Sequence, residues 1–310
     1  ENNRVCHSKL YKRHSPQAFM KIILSRKGFD LANGGQANPI LPDGTLLSLP
    51  IPDGDGNVSY ASLHWNGLSY YEIIHSLKTN TKLKTNSMCH LDPDLRKEVK
   101  VRMSGWKPAF GQAGAALSHL RKQHVSVGDL FLFFGWFRET EEKNGKLVYK
   151  KNAPDQHIVY GYMQIGNIIE KKDAAPEWLK EHPHIADKKF RNDNLNAIFL
   201  PSDALSFLPE MKGCGLLDYR SDRVLTKAGM SRGCWNLPSF FKKVEISYHP
   251  HPWKNGYFQS ACRGQEFVME AGAEIIDWAK RLLMLFCPPI LHQESCFSWG
   301  ETLNLCRNIQ

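Results

Sequence analysis

The stretch Val125–Glu139, VSVGDLFLFFGWFRE, decides how the rest of the chain is read. After the Gly128–Asp129 turn, seven of the eight residues Leu130 to Phe137 are apolar, broken only by Gly135, and Arg138 and Glu139 follow at once. A strand with one wet face alternates apolar and polar side chains. This one does not, so both of its faces must be covered. A barrel strand with the core on one side and a helix on the other meets that demand.

The flanking segments supply the neighbours. Upstream, GQAGAALSHLRKQH (Gly111 to His124) spaces Ala113, Ala116, Leu117 and Leu120 along one helical face and gathers Arg121, Lys122 and His124 at its C-terminal end. Downstream, Asn144-Gly145 in EEKNGKLVYKK marks a hairpin turn. DQHIVYGYMQIGNIIE then reads as a strand with Ile158, Tyr160, Tyr162 and Gln164 on one side. MKIILSRKGFD carries a compact strand at Ile22–Leu24, and Met20 reads as an original start, with residues 1–19 as an N-terminal extension. Ala32 to Asn57 is a long Gly/Pro/Asn/Asp-rich excursion, of the kind that forms functional loops.

Further along, SYYEIIHSL predicts a short strand or helix and CHLDPDLRKE a loop. APEWLKEHPHI predicts a short helix ended by Pro183, NAIFL a buried strand, and KKVEISYHPHPW a strand running into a turn. GQEFVMEAGAEIIDWAKRLLMLF predicts a late helix; after Pro288 periodicity is lost, and residues 286–310 are expected to form a loosely packed tail. The whole predicts an α+β chain: a small mixed β-barrel core with flanking helices and long loops.

Composition sets outer limits. The 310 residues carry 40 Lys and Arg against 31 Asp and Glu, a net charge of +9; residues 1–19 supply +3 of it (Arg4, Lys9, Lys12 and Arg13 against Glu1) and the remainder +6. Such a surface suits phosphate-backbone binding without proving it. No apolar run reaches membrane-spanning length, and residues 1–19 lack the apolar core of a secretory signal, so a cytoplasmic protein with no membrane partner is expected. The eight cysteines form no CxxC pair, which excludes zinc-ribbon spacing.

Several constellations could carry chemistry. Phe131, Phe133, Phe134, Trp136 and Phe137, with Tyr160 and Tyr162 alongside, offer faces for a base to stack on, each ring being core unless it lines a pocket. Trp136, beside Arg138 at the strand end, is the best placed. Gln112, Gln164 and His157 could read the edges of a base. SRKGFD places Arg26, Lys27, Gly28 and Asp30 after a strand, suited to a phosphate or to a solvated loop. CHLDPDL sets His90, Asp92 and Asp94 within one extended segment, usable for general-base chemistry or a divalent metal, but equally an ordinary turn. CRGQEF brings Arg263, Gln265 and Glu266 to the expected start of the late helix, to meet an anion or to cap it. The His182/His184 and His249/His251 pairs have weak ligand spacing without HExxH, so no metal residue is assigned and the cofactor is left unknown. Walker, GxGxxG, GxSxG and zinc-deaminase signatures are absent.

The pieces MKIILSRKGFD, NPILPDGTLLSLPIP, HLDPDL, FGQAGAALSHL, VGDLFLFFGWFRETE, HIVYGYMQIGNI, HPHI and SACRGQEFVME, in order over about residues 20 to 285, resemble the nucleotide-modification-associated domain 3 family. The resemblance implies a link to bacterial or phage systems that alter or handle modified bases in DNA, with DNA or a nucleotide and other modification-system proteins as partners. It assigns no catalytic residue, and it does not extend to residues 1–19 or 286–310. Gly111 to Ile169 also resembles the core of PUA-like domains, including the EVE and ASCH branches, which hold a base in the pocket of a pseudo-barrel.

Three readings follow. In the first, a modified base is bound by Trp136 and Tyr162 for stacking and by Gln112 and His157 for its edges, with Arg26, Lys27, Arg138 and Arg263 on phosphate. In the second, an enzyme installs, remodels or removes a modification, with SRKGFD, HLDPDL and RGQEF converging and Asp30, His90, Asp92 or Glu266 as the reacting groups. The third is a structural partner in a modification complex, which would carry an exposed apolar patch and no pocket.

Overall fold

Leu130–Lys143 forms the central strand of a nine-stranded sheet whose main path runs Glu266–Glu270, Lys21–Arg26, Leu130–Lys143, Gln156–Ile169, Asn196–Pro201, Phe110–Ala113. The structure is a computed structural model and describes residues 20–170, 175–190, 194–262 and 264–284. The expectations for residues 1–19 and for the tail after 285 lie outside the described residues, as does Arg263. The first strand runs parallel to the central one, pairing Ile22 with Leu130 and Arg26 with Phe134, while Gln156–Ile169 and Glu266–Glu270 join antiparallel.

Both faces of the central strand are covered, which accounts for its composition. Leu130, Leu132 and Phe134 point into a core shared with Ile22, Leu24, Trp235, Phe241 and the helix Ala273–Leu283. Phe131, Phe133 and Phe137 point the other way, into a core with Phe110, Tyr160, Phe199 and the helix Gly114–Lys122. The Asn144-Gly145 turn is present, both residues at positive φ.

The sheet curls without closing. Its terminal strands, Phe110–Ala113 and Glu266–Glu270, stand at opposite ends of the path, yet Gln112 Nε2 donates to Glu266 Oε1 across 2.6 Å. Lys27 Nζ reaches the same oxygen at 2.8 Å while resting 4.5 Å from the centre of the Phe110 ring. Side chains rather than a backbone ladder bridge the gap, so the result is a curled half-barrel in a mixed α+β chain with four α-helices among the described residues.

The excursion Ala32–Asn57 is no floppy loop. Leu41, Leu47 and Leu49 pack with Phe29, Tyr60, Leu63 and the helix Tyr70–Leu77 into a satellite core, from which the strand Met88–His90 projects. Gly28 makes the entry possible: it sits at φ +81°, and a Cβ there would stand 2.6 Å from Ser48 Oγ.

Several expectations need correction. GQEFVMEAGAEIIDWAKRLLMLF is a strand, Glu266–Glu270, followed by a helix, Ala273–Leu283, so Glu266 is a sheet residue and not part of a helix start. The first helix begins at Gly114, because Phe110–Ala113 pairs with Asn196–Phe199. Pro183 opens a helical turn, Pro183–Ala186, instead of ending one, since its missing N–H is no loss there. KKVEISYHPHPW holds no strand before Trp253; its start belongs to a short 3-10 turn, Ser239–Lys243. In Gln156–Ile169 the register shifts between Val159 and Gly161. That bulge sends Tyr160 and Tyr162 to opposite faces of the sheet, although simple alternation puts them together.

Candidate active site

A cavity of about 560 Å³ opens where the sheet fails to close. Its wall takes Arg26, Lys27, Gly28 and Asp30 from the end of the first strand, His90 and Asp92 from the satellite core, and Gln112 and Ala113 from one terminal strand. Gly264 and Gln265 approach from the other, and His184, Lys189 and Phe190 complete it. The three motif segments SRKGFD, HLDPDL and RGQEF thus reach one cavity.

The most ordered chemistry lies around Asp92. This carboxylate is shielded from solvent, with Oδ1 accepting the Gly111 backbone N–H at 2.6 Å and standing 3.3 Å from His182 Nε2. Oδ2 is left toward His184 Nε2, at 3.9 Å. Burial alone would raise the Asp92 pKa, but the His182 contact and the surrounding histidines more than offset it and hold it at about 2. Gly111 is required twice over: it donates to Asp92, and a Cβ on it would fall 2.1 Å from His184 Cδ2.

The tautomers follow from their partners. His184 Nδ1 lies 2.6 Å from Asn196 Oδ1, and Asn196 Nδ2 donates to the His184 carbonyl, so the imidazole proton sits on Nδ1 and Nε2 carries a lone pair. Burial pushes the His184 pKa down to about 3, keeping the ring neutral. His182 Nδ1 accepts from the His184 backbone N–H, which leaves the His182 proton on Nε2, facing Asp92. His90 turns Nδ1 toward two carboxylates, Asp53 Oδ2 at 3.5 Å and Asp187 Oδ2 at 3.7 Å. Its Nε2 stands 3.3 Å from His184 Nε2. Phe190 stacks on the His184 ring, with 4.2 Å between centroids and 11° between planes. Asp53 is ion-paired with Lys189.

Cations line the opposite wall unequally. Lys27 is engaged by Glu266, and Glu266 is buried behind the wall with Gln112 on the same oxygen. Arg26 is different. It donates to the carbonyls of Ala261 at 2.5 Å and Cys262 at 3.1 Å, and it makes no ion pair among the described residues. Asp30 caps its own turn by accepting the N–H groups of Ala32 and Asn33.

A second cavity, of about 450 Å³, shares Arg26, Asp30 and Cys262 with the first and is lined further by Trp136, His157 and Arg232. Trp136 carries the Arg232 guanidinium 4.4 Å from its ring centre. His157 Nδ1 accepts from Trp235 Nε1 at 3.0 Å, and burial together with Arg26 and Arg232 pushes its pKa down to about 3. Of the expected base-binding set, then, Gln112 lines the larger cavity and Trp136 and His157 the smaller. Tyr162 lines neither; its hydroxyl donates to the Lys212 carbonyl within the core. Arg138 pairs with Asp155 and also lines neither cavity. Asp94 is clasped by Arg102 at 2.6 Å. The sequence signal for His182, His184 and Asn196 is faint: an H-x-H and a single Asn, both distant in the chain from His90.

A family model described as nucleotide modification associated domain 3 matches residues 21–270. No curated protein and no solved structure matches the chain. No helix among the described residues is long and apolar enough to cross a membrane.

Proposed function

The chain belongs to the nucleotide modification associated domain 3 family, and on that premise we propose that it is an enzyme acting on the base of a nucleotide or nucleic acid. One observation carries this reading: a buried Asp92 set among His90, His182 and His184, whose contacts favour its carboxylate form, faces a polar cavity whose other wall presents Arg26. Buried carboxylates whose pKa is shifted by specific partners concentrate at reacting centres. Arg26, which makes no ion pair among the described residues and has Asp30 as its nearby counter-charge, is the anchor for a substrate phosphate. Lys189, spread between Asp53 and the rim, is the second cation in reach. The reader alternative loses support because its four base contacts are divided between two cavities and the core.

The test is to incubate the protein with genomic DNA and, separately, with free nucleotides, then digest to nucleosides and separate them by liquid chromatography with mass detection. Wild type is expected to change the mass of at least one nucleoside, and Asp92→Asn to leave all of them unchanged. The reading fails if no nucleoside depends on Asp92 while oligonucleotide binding is weakened by Trp136→Ala and indifferent to Asp92→Asn. That outcome would move the function to the smaller cavity.

A further inference from the structure

We propose that His90 Nε2, His184 Nε2 and one oxygen of Asp92 bind a divalent transition-metal ion at the floor of the larger cavity. This deepens the reading of the same site as a reacting centre and rests on it for the ion's role, though not for its binding.

Geometry comes first. Two nitrogens bound at about 2.0–2.1 Å to a tetrahedral ion stand about 3.3 Å apart. His90 Nε2 and His184 Nε2 are separated by 3.3 Å. Asp92 Oδ2 stands 3.9 Å from His184 Nε2, about 0.6 Å wider than that separation, a difference that a small rotation of the carboxylate closes. The candidate ligand atoms of His90, Asp92 and His184 all lie within 4.8 Å of one another.

The outer contacts are those that metal-binding histidines use. His184 donates its Nδ1 proton to Asn196 and so turns its Nε2 lone pair inward, while His90, with Nδ1 on the side of Asp53 and Asp187, presents its Nε2 to the same space. Two ring nitrogens facing each other at this distance need a cation or a shared proton between them. Asp92 uses Oδ1 for the protein and keeps Oδ2 for the ion.

Charge supplies an independent argument. The Asp187 side chain is wholly buried and neither of its oxygens has a hydrogen-bond partner, nor has His90 Nδ1. Asp53, Asp92 and Asp187 gather around His90, and among the described residues Lys189 is the one Lys or Arg side chain ion-paired to them. A buried carboxylate without hydrogen-bond partners, as Asp187 is, is strongly unfavourable. A divalent ion removes the imbalance. Two histidines and one carboxylate also form the ligand set of open, reactive metal centres, Zn²⁺ and Fe²⁺ among them. All three residues line the cavity, so the remaining coordination positions face the substrate space.

The experiment is to strip the full chain with a chelator, replete it with Zn²⁺ or, without oxygen, with Fe²⁺, and measure metal content and titration calorimetry. One ion per chain is expected. His90→Ala and His184→Ala should each weaken binding at least about 100-fold, and Asn196→Ala, which only orients His184, about 10-fold. His249→Ala, at a buried histidine outside the cavity, should bind as wild type. Circular dichroism reports whether each variant folds. Should the ligand variants unfold, Co²⁺ added to wild type decides the matter, since imidazole ligands give visible absorption bands that the hydrated ion lacks.

Failure of wild type to bind any of the three ions stoichiometrically, or equal binding in the histidine variants, overturns the proposal. A shared proton would then explain the close nitrogens. If Asp92-dependent nucleoside changes persist in chelator while no ion binds, the metal falls and the enzyme stands. Stoichiometric metal with no nucleoside change gives the reverse.

Discussion

Gly111 shows how tightly single residues fix the site. Its N–H holds Asp92, and the His184 ring lies where any side chain would go. Gly111→Ala should therefore lower stability by about 1–3 kcal/mol, through overpacking, and displace His184. A thermal melt together with metal content would check this; an unaltered melting point and full metal loading would refute it. His157 makes a prediction about pH. Its folded pKa, about 3, lies below the ordinary 6.5, so between these values the unfolded chain takes up a proton that the folded chain refuses. Stability from this group is complete above pH 6.5 and is lost as pH falls, at up to about 1.4 kcal/mol per unit. The facing charges, Arg26 and Arg232, are positive throughout that range. His157→Gln keeps an acceptor for Trp235 but does not titrate. On going from pH 7 to 4.5 it should lose about 2 kcal/mol less than wild type in urea unfolding; equal losses would show that His157 does not set the acid limb.

Among the elements, the helix Ala273–Leu283 covers the sheet face opposite the helix Gly114–Lys122, through Ile275, Trp278, Ala279, Leu282 and Leu283. Trp278 meets Phe241 edge-on at 5.0 Å. Trp278→Ala should cost about 3–5 kcal/mol by leaving a cavity, measured as a lower denaturation midpoint with the fold otherwise kept. Elements such as this were legible in the sequence where periodicity had one reading. The apolar run Leu130–Phe137, interrupted only by Gly135, the Asn144-Gly145 turn and the Ile22–Leu24 strand all stood out for that reason. They were illegible where one composition serves two geometries. EFVME satisfies a strand and a helical face alike, and only its pairing with Lys21–Ser25 decides. The bulge near Gly161 leaves no local mark, yet it carried Tyr162 away from the expected pocket. The candidate site was half visible. Charged segments announced themselves, but the nearness of His184 and Asn196 to His90 depends on the Ala32–Asn57 excursion folding into a core of its own.

At the scale of the molecule, the curled sheet is held at its seam by Lys27, Glu266 and Gln112. The Lys27 and Glu266 side chains are 9% and 1% exposed, so removing one strands the other. Glu266→Ala should destabilise by about 3–5 kcal/mol, and Lys27→Met with Glu266→Leu should restore most of that loss. Urea unfolding of the two variants checks it, and a double variant no more stable than Glu266→Ala would mean that the pair is not what joins the edges. The two cavities beside this seam share one wall, and Arg26 belongs to both. A guanidinium can be neutralised only once. An anion seated against it from the larger chamber weakens the attraction for a second anion in the smaller, and reciprocity requires the same penalty in the other direction. Inorganic phosphate seated against Arg26 from one chamber is therefore expected to compete, without overlap, with an anionic ligand in the other.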